Sequence, residues 1–499
     1  MILSKKTIGF VLSIVAFISI IFFLNLNNNK ISFTLAIAVL MAIWWIMEVV
    51  PLAITSLLPV VLFPLFGIID GKEISSAYFN DIIFLFLGGF YISLAMQKSH
   101  LDKRIALKIL SILGVKPGNI VLGFIIATAF LSMWISNTAT AMMMLPVALS
   151  VLDKLKDNLT QKQLNKLSVS ILLSIAYSAS IGGIATLIGT PPNLAFIKIF
   201  SITFPKAPEI SFSQWMLFGM PLSISMLTVL WLLFYFFFFR KIKIKGNLSK
   251  NIFKNQYKNL GKISRDQIFI LIAFISFIIL LLFRKDINIG NFKIPGWSNL
   301  FNNPKYLNDG TIAIAIAILL FLIPSTKKSG KLLDCKTAKN IPWNIILLFG
   351  GGFALAKAFV SSGLSLWIGN KLGNFLFDSQ FLNMILFVSV MIFLTELTSN
   401  TATTQIFLPV IAGIAITSGE NPLFLMIPVT IAASMAFMLP VATPPNAIIF
   451  GSNKIKISQM SRFGILLNLI AIVIITIFVY IIAINVFNID INNIPSWIK

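Results

Sequence analysis

Cysteine and histidine are almost absent from this chain of 499 residues, because each occurs only once, as Cys335 and His100. One cysteine excludes an internal disulfide framework and a thiolate metal cluster. One histidine argues against metallohydrolase chemistry, which needs convergent His, Cys and carboxylate ligands. Charged residues are also scarce at 11%, whereas hydrophobic residues make up 58% of the chain. This composition excludes an ordinary soluble domain and predicts an integral membrane protein that is not an enzyme.

The formal net charge of +23 could indicate a nucleic-acid partner. The basic residues, however, are scattered among apolar segments and concentrate in a few loops, which in a membrane protein is a topology signal. We therefore expect a lipid bilayer, and no nucleic acid, as the surroundings of this chain. The apolar segment 7–26 lacks a small-residue cleavage site, so it predicts a first membrane helix and not a removed signal peptide.

Long apolar runs mark the membrane helices, since about 20 apolar residues cross a bilayer core of about 30 Å. The sequence predicts eleven crossings, near residues 8–26, 32–49, 51–69, 81–98, 168–200, 213–239, 267–284, 311–324, 343–361, 423–450 and 463–488. Two further apolar stretches, 119–151 and 381–416, are too long for one crossing and too short for two. Each is predicted to form a re-entrant helical hairpin.

The distribution of Lys and Arg predicts the orientation. These residues are frequent in the loops 153–166, 240–265 and 325–341, whereas 70–80, 201–212 and 286–309 contain fewer of them and several acidic residues. The bias predicts a cytoplasmic N-terminus and an outside C-terminus. An odd number of crossings between the two hairpins then places the hairpins on opposite faces of the membrane, as an inverted repeat requires.

One pentapeptide, Ser-Asn-Thr-Ala-Thr, occurs at 136–140 and again at 399–403, in the middle of the two predicted hairpins. Hydroxyl and amide side chains are costly at membrane depth unless they bind something. Irregular backbone there is tolerated only where it is buried in protein or lines a cavity. The duplicated motif therefore predicts a transporter built from two related halves, with its site where the halves meet.

A second repeated motif, Thr-Pro-Pro-Asn, occupies 190–193 and 443–446. Two adjacent prolines cannot continue a helix, so the spans 168–200 and 423–450 are predicted to break near their centres. A broken helix offers free carbonyls and a half-helix N-terminus, which together can hold a cation beside an anion. Asn193 and Asn446 are expected to cap the resumed half-helices.

Other interpretations of these residues need weighing. A single Ser-Asn-Thr could be polar contact between helices, and a single Pro-Pro could be a kink, but two copies of each in register favour the transporter. Glu48 and Lys357 are expected to serve packing or local pairing. Glu396, three residues before the second motif, has two open roles: a hydrogen-bond partner that stabilises the hairpin, or a contributor to cation attraction.

Paired Ser-Asn-Thr tips, each followed by a broken helix with Thr-Pro-Pro-Asn, resemble the divalent anion:sodium symporters, the family of sodium/dicarboxylate and sodium/sulfate cotransporters. The resemblance implies an inner-membrane homodimer that works by an elevator mechanism. It implies an N-terminal helix at 1–31, a first repeat at 32–239, a basic cytoplasmic linker at 240–265 and a second repeat at 266–499. The scaffold would comprise 32–115 and 266–376, and the moving transport unit 119–239 and 381–488.

The resemblance also assigns site residues, all of them oxygen donors from side chains or from backbone. One sodium site falls at Ser132, Ser136, Asn137 and the backbone near Gly189; the other falls at Thr395, Thr398, Asn400 and the backbone near Ala442. The substrate would be met by Ser136, Asn137, Thr138, Ser399, Asn400 and Thr401, together with Thr190 and Thr443. Sodium is a hard cation that prefers oxygen ligands.

The sequence thus predicts a secondary active transporter that couples inward sodium movement to uptake of a small divalent anion, with a four-carbon dicarboxylate such as succinate, malate or fumarate favoured. Sodium ions are the coupling ions, and no organic cofactor is expected. A sodium-independent dicarboxylate exchanger and a sodium/sulfate symporter stay open as alternatives. A membrane enzyme or an anion-sensing receptor is a weaker one. The Lys-, Asn- and Ile-rich composition indicates a bacterial plasma membrane.

Overall fold

A computed structural model describes residues 4–23, 28–114, 116–239, 252–289, 292–326, 330–373, 375–491 and 493–498. Most of them lie in α-helices, and the strands are two of three residues each, so the prediction of an all-α membrane fold is confirmed. Part of the evidence used for orientation, namely the basic residues in 240–251 together with Lys327 and Lys328, lies outside the described residues.

The described residues of the first half form thirteen α-helices. They are α1 (Lys5–Phe23), α2 (Asn29–Met47), α3 (Leu52–Thr55), α4 (Leu58–Leu65), α5 (Gly71–Tyr78), α6 (Asp81–Lys98), α7 (Leu101–Leu113), α8 (Pro117–Ser132), α9 (Asn137–Leu155), α10 (Gln161–Gly183), α11 (Pro191–Thr203), α12 (Phe212–Phe234) and α13 (Ile252–Lys258). A π-helical turn, Tyr235–Phe239, extends α12.

The second half repeats this order from α14 onwards. Its helices are α14 (Arg265–Leu282), α15 (Asp309–Leu322), α16 (Cys335–Ala338), α17 (Trp343–Ser362), α18 (Leu364–Gly373), α19 (Gln380–Thr395), α20 (Asn400–Thr417), α21 (Pro422–Ala432), α22 (Pro444–Phe450), α23 (Ile457–Phe478) and α24 (Ile484–Val486). A short antiparallel hairpin of β1 (Ile287–Ile289) and β2 (Phe292–Ile294), which the sequence did not predict, lies between α14 and α15.

The crossings agree with the predicted count. Ten helices in the described part of the chain are long and apolar enough to span a bilayer. Two of these, which begin at Asn137 and Asn400, are second arms of hairpins and do not cross. The other eight, with the shorter apolar segments Leu52–Leu65, Asp309–Leu322 and Pro422–Ala432, provide the eleven crossings.

The span predicted at 51–69 as one helix is in fact two short helices, α3 and α4. The break falls at Ser56 and Leu57, just before Pro59, whose ring cannot follow a regular turn of helix. The groups at the break are satisfied locally: Ser56 Oγ donates to Leu52 O at 2.7 Å, and the hydroxyl of Tyr78 donates to Ser56 O at 2.5 Å.

Contacts between loops show which ends of the helices share a face. Arg104, after α6, donates to Leu260 O at 3.0 Å, and Lys98 pairs with Asp334 at 2.7 Å. The start of α1 and the end of α2 meet at this end as well: a Cβ on Gly9 would touch the side chain of Met47, and Lys5 and Glu48 share a cavity lining with Asn344, at the start of α17, which follows the segment of Asp334. We call this end the N-terminal face; it holds residues 98–117, 150–166, 252–265 and 330–343.

The opposite face is held together in the same way. It carries residues 66–81, 203–212, 283–309 and 417–422, together with the C-terminal segment after α23. Lys198 pairs there with Asp81 at 2.7 Å, and Gln380 donates to Ile491 O at 3.4 Å. The N- and C-terminal ends of the described chain therefore lie on opposite faces.

The two hairpins start from opposite faces. The base of the α8–α9 hairpin lies at the N-terminal face, where Gln256 donates to Ser150 Oγ at 3.0 Å. The base of the α19–α20 hairpin lies at the opposite face, where Gln380 contacts the C-terminal segment. Each second arm then packs against a half-helix of the other repeat, α9 against α22 and α20 against α11. The repeat is thus inverted, and its halves interlock at mid-depth.

This topology predicts opposite accessibility for two engineered cysteines. In a Cys335→Ser background, which removes the only native thiol, Lys254→Cys and Lys305→Cys place exposed thiols on the N-terminal and the opposite face respectively. A membrane-impermeant maleimide added to intact cells should label Lys305→Cys alone, and should label both after permeabilisation. Labelling of both variants from the same side would contradict the eleven-crossing fold.

Candidate functional site

The two Ser-Asn-Thr motifs sit at the tips of the hairpins, as predicted. Ser136 is the N-terminal cap of α9, and its Oγ accepts a hydrogen bond from Ala139 N–H at 3.2 Å. Ser399 occupies the same N-cap position of α20, without a side-chain hydrogen bond to the helix. Each motif therefore places its asparagine and threonine in the first turn of a helix that begins at membrane depth, where backbone N–H groups are free.

The Thr-Pro-Pro-Asn motifs resume two interrupted helices. The first helix ends at Gly183 and resumes at Pro191; the second ends at Ala432 and resumes at Pro444. Thr190 and Thr443 are the caps, and the prolines occupy the first helical positions, where no N–H is needed. Both predicted breaks are present.

Asn193 and Asn446 do not cap these half-helices, contrary to expectation, because each lies one turn inside. Asn193 Nδ2 reaches back across the break and donates to Thr186 O at 2.7 Å and Ile184 O at 3.3 Å. Asn446 Nδ2 likewise donates to two carbonyls of the second break, at 3.1 and 3.0 Å. Carbonyls that the break frees are thereby satisfied, as burial requires.

Oxygen atoms converge beside the first tip. Ser132 Oγ donates to Ala179 O at 2.6 Å, and it lies 2.5 Å from the amide of Asn137. With its NH2 turned inwards, that amide reaches Ala179 O and Gly189 O at 3.1 Å each. A half-turn of the amide would present Oδ1 to the cluster as a fourth oxygen. Such a donor set suits a hard cation.

The second tip offers a less closed arrangement. Thr398 Oγ donates to Leu394 O at 2.8 Å, and the hydroxyl of Thr395 donates to Ile392 O of its own helix at 3.0 Å. Asn400 Oδ1, in contrast, is buried and has no hydrogen-bond partner. An unpaired buried oxygen is costly. A cation bound there would satisfy it, so the residues present fit the predicted ion.

One cavity of about 690 Å³ lies between the two tips and the two breaks. Every residue predicted to meet the substrate lines it, namely Ser136, Asn137, Thr138, Thr190, Ser399, Asn400, Thr401 and Thr443. Gly189, Thr398 and Ala442 line it as well, whereas Ser132 and Thr395 lie fully buried behind the tips. The structure therefore brings together in one place residues that are more than 250 positions apart in sequence.

The cavity wall is poor in charge. Among its described residues the charged side chains are Lys5 and Glu48, which are exposed and lie at the N-terminal face, where we place the mouth of the cavity. The remainder of the wall combines polar tips with aromatic side chains such as Trp45, Phe90 and Trp134. No fixed cation stands beside the tips in this part of the chain, so an anion there must draw on bound cations and on helix N-termini.

The sequence analysis did not predict two residues that contribute to the site, Ala179 and Ser180. Ala179 takes part through its carbonyl, which carries no sequence signal. Ser180, its neighbour on α10, lines the cavity, and the run of serines at 170, 174, 178 and 180 of α10 is the pattern that could have drawn attention to this helix.

Glu396 binds the backbone of the second break. Its carboxylate accepts hydrogen bonds from the consecutive N–H groups of Phe437, Met438 and Leu439, at 2.7 to 3.1 Å, and from Asn468 Nδ2 at 2.7 Å. Both oxygens are engaged, and the side chain is buried. Of the two roles left open by the sequence, the geometry favours the structural one: Glu396 joins the hairpin to the break and to α23.

A sequence profile for the sodium:sulfate symporter transmembrane region matches residues 4–487 of this chain. The chain belongs to this family. The protein is a multi-pass membrane transporter, and the family resemblance predicted from the paired motifs is confirmed, as is the prediction that the chain is not an enzyme.

Two relatives show how far the similarity extends. The sodium-dependent dicarboxylate transporter SdcS of Staphylococcus aureus is 41% identical over 98% of this chain and 93% of its own length. The protein of the same name from Staphylococcus saprophyticus is 39% identical over 94% of this chain and 89% of its own length.

Solved structures share the fold at low sequence identity. MtrF of Neisseria gonorrhoeae, described as one of a class of antimetabolite efflux pumps, superposes with a TM-score of 0.60 at 12% identity, over 97% of this chain and 96% of its own. The YdaH transporter of Alcanivorax borkumensis gives a TM-score of 0.55 at 11% identity, over 81% and 85%. At these identities the likeness concerns the fold alone.

The Glu396 contacts predict a loss of stability on truncation. Glu396→Ala should leave buried N–H groups unpaired, at about 1–3 kcal/mol for each, and should lower the apparent melting temperature of the detergent-purified protein. Glu396→Gln, which keeps one acceptor oxygen, should fall between Ala and wild type. Glu73→Gln, which loses a half-exposed ion pair, is the control. Equal melting of Glu396→Ala and the control would contradict the structural role.

Proposed function

We propose that this protein imports a four-carbon dicarboxylate, such as succinate, malate or fumarate, together with sodium. The observation that supports this proposal is the shared cavity, which two amide- and hydroxyl-rich tips face; among the described residues that line it, no Lys or Arg lies beside the tips. Two separated tips suit a substrate with an anionic group at each end. The names of the Staphylococcus relatives, sodium-dependent dicarboxylate transporters, support the same assignment.

Sodium ions in this proposal supply the missing positive potential. The first ion is held by Ser132, Ser136, Asn137 and the carbonyl of Gly189, and the second by Thr395, Thr398, Asn400 and the backbone at Ala442. The oxygen cluster around Asn137 and the unpaired Oδ1 of Asn400 support these assignments. Coupling is then electrostatic, because the dianion lacks compensation until the cations are bound.

The proposed substrate contacts come from both tips and both caps. They are Ser136, Asn137, Thr138, Thr190, Ser399, Asn400, Thr401 and Thr443. These groups bind carboxylates as neutral donors, and the N-termini of α9, α11 and α20 add partial positive charge. Neutral donors bind the anion without holding it so tightly that it cannot leave.

Movement of the site follows an elevator scheme. The scaffold (32–115 and 266–376) stays fixed in the membrane, and the transport unit (119–239 and 381–488) carries the cavity across. Exposed lining residues of the cavity, Lys5, Glu48 and Asn344, lie at the N-terminal face. The distribution of basic residues supports a cytoplasmic position for this face, so we take this state to be the inward-facing one. We further propose a homodimer in a bacterial plasma membrane, with the scaffold at the subunit contact.

Uptake by proteoliposomes tests this function against its alternatives. Labelled succinate and sulfate are offered with an inward sodium gradient, with sodium on both sides, and with choline. Succinate uptake that requires the sodium gradient is expected. Preferred uptake of sulfate would identify a sodium/sulfate symporter, and succinate exchange of equal rate in choline would identify a sodium-independent exchanger.

The tip asparagines should be essential. Asn137→Ala and Asn400→Ala each remove a ligand proposed to serve cation and anion, so affinity should fall by about 5- to 150-fold per site, which corresponds to about 1–3 kcal/mol. The measurement is sodium-driven succinate uptake, normalised to the amount of protein in the membrane. Wild-type uptake by both variants would refute the assignment.

Sodium and substrate should strengthen each other's binding, because linkage is reciprocal. Titration of succinate by calorimetry should give an affinity at least about fivefold higher in sodium than in choline. Ser132→Ala and Thr395→Ala, which lie behind the tips, should weaken apparent sodium affinity first and recover in part at high sodium. Equal succinate affinity in the two salts would exclude symport.

A further inference from the structure

In the described part of the chain, three ion pairs join the proposed scaffold to the proposed transport unit, and these three lie at the face opposite the cavity mouth. Lys198 Nζ of α11 lies 2.7 Å from Asp81 of α6. Glu209, in the loop between α11 and α12, meets Arg284 Nη2 and Lys285 Nζ at 2.5 Å each. Lys198 and Glu209 belong to the transport unit, and their partners belong to the scaffold.

The scaffold side of the larger cluster is complete without Glu209. Arg284 is only 3% exposed, and its Nε donates to the buried carboxylate of Asp309 at 2.5 Å while Nη1 donates to Leu307 O at 2.8 Å. Because Asp309 neutralises it, Arg284 would stay paired if Glu209 moved away. Departure of Glu209 would therefore leave no uncompensated charge buried in the scaffold.

The carboxylate side chains that would separate from their partners are already partly exposed to water. The side chain of Glu209 is 53% exposed even in the paired state. Burial raises the pKa of its carboxyl, but the charges of Arg284 and Lys285 outweigh burial and hold the pKa below its usual range, so Glu209 is ionised at neutral pH. Asp81 is 43% exposed and lies in the first turn of α6, where the helix dipole favours a carboxylate.

We propose that these three ion pairs form a releasable latch, which favours the state whose cavity opens at the N-terminal face. The inference rests on the elevator mechanism proposed above, since a latch needs two units that move. Half-exposed ion pairs shift an equilibrium by about 1.4- to 5-fold each. That is enough to bias two states without preventing their exchange.

An ion pair within the scaffold provides a matched control. Lys357 of α17 lies 2.9 Å from Glu73 of α5, on the same side of the molecule and with similar exposure of its side chains, 28% and 47%. Breaking this pair removes a comparable surface interaction but no contact between the units. Glu73→Gln should therefore leave the balance between the two states unchanged.

The test is a distance measurement between the units in the full-length protein. Spin labels are introduced at Lys72→Cys on the scaffold and Asn485→Cys on the transport unit, in a Cys335→Ser background. Both positions are exposed and lie at the same face as the latch. Double electron–electron resonance is recorded in nanodiscs with sodium and succinate. Glu209→Gln and Lys198→Gln should each raise the minor-distance population by about two- to fivefold. The charge reversal Asp81→Lys with Lys198→Asp should restore the wild-type distribution.

The outcomes separate the latch from the function on which it rests. Two distances whose weights are the same in Glu209→Gln, Lys198→Gln and the Glu73→Gln control would overturn the latch while leaving the elevator. A single distance in every variant, with sodium-driven uptake intact, would overturn both elevator and latch but not the symport. Failure of sodium-dependent uptake itself appears in the proteoliposome assay and not in the distances.

Discussion

Interrupting a helix at membrane depth frees backbone groups that lipid cannot satisfy, and the structure depends on how this chain satisfies them. At both breaks the amide of an asparagine, Asn193 or Asn446, donates back to carbonyls at the end of the preceding segment. The prolines before it need no donor of their own. With the breaks closed in this way, selected carbonyls and caps remain available to the cavity, and the hairpin tips can pack against them.

The two repeats use different hydrogen bonds to join the hairpin tip to the helix break. At the first tip, Met133 O accepts a hydrogen bond from the Thr186 hydroxyl of the break, at 2.6 Å. At the equivalent position of the second tip, the side chain of Glu396 accepts hydrogen bonds from the break's backbone N–H groups. In both repeats the hairpin tip accepts and the break donates, but the side chain is the donor in the first contact and the acceptor in the second, so a neutral hydrogen bond has become a charged one. The repeats therefore share their geometry while their ion sites differ, one closed around Asn137 and one with a free Oδ1 on Asn400.

The breaks, the hairpins and the shared cavity could be predicted from sequence, because the residue types that cause them have strong effects on the local backbone. Paired prolines impose the breaks, and polar tips in apolar runs impose the hairpins and the shared cavity. The role of Ala179 could not be predicted, since a carbonyl has no signature. The roles of Asn193 and Glu396 depend on backbone groups that only the folded chain brings near them. The division of 51–69 into two helices could not be predicted either, because the hydroxyl of Tyr78, distant in sequence, satisfies the carbonyl of Ser56 at the turn.

Glycine at positions 183 and 189 has a consequence for how such a transporter can diversify. A Cβ on Gly189 would lie 2.4 Å from Gly183 O, and one on Gly183 would lie 2.9 Å from both Asn137 Oδ1 and Gly189 O. Side chains at these two positions are thus excluded from the oxygen cluster, in which two of the oxygens are main-chain carbonyls, Ala179 O and Gly189 O. A main-chain carbonyl is present whatever the side chain, so substitutions elsewhere in the cavity wall leave these two oxygens in place. Side-chain substitution can therefore alter the proposed anion contacts more freely than the main-chain part of the proposed cation site, which requires glycine at both positions.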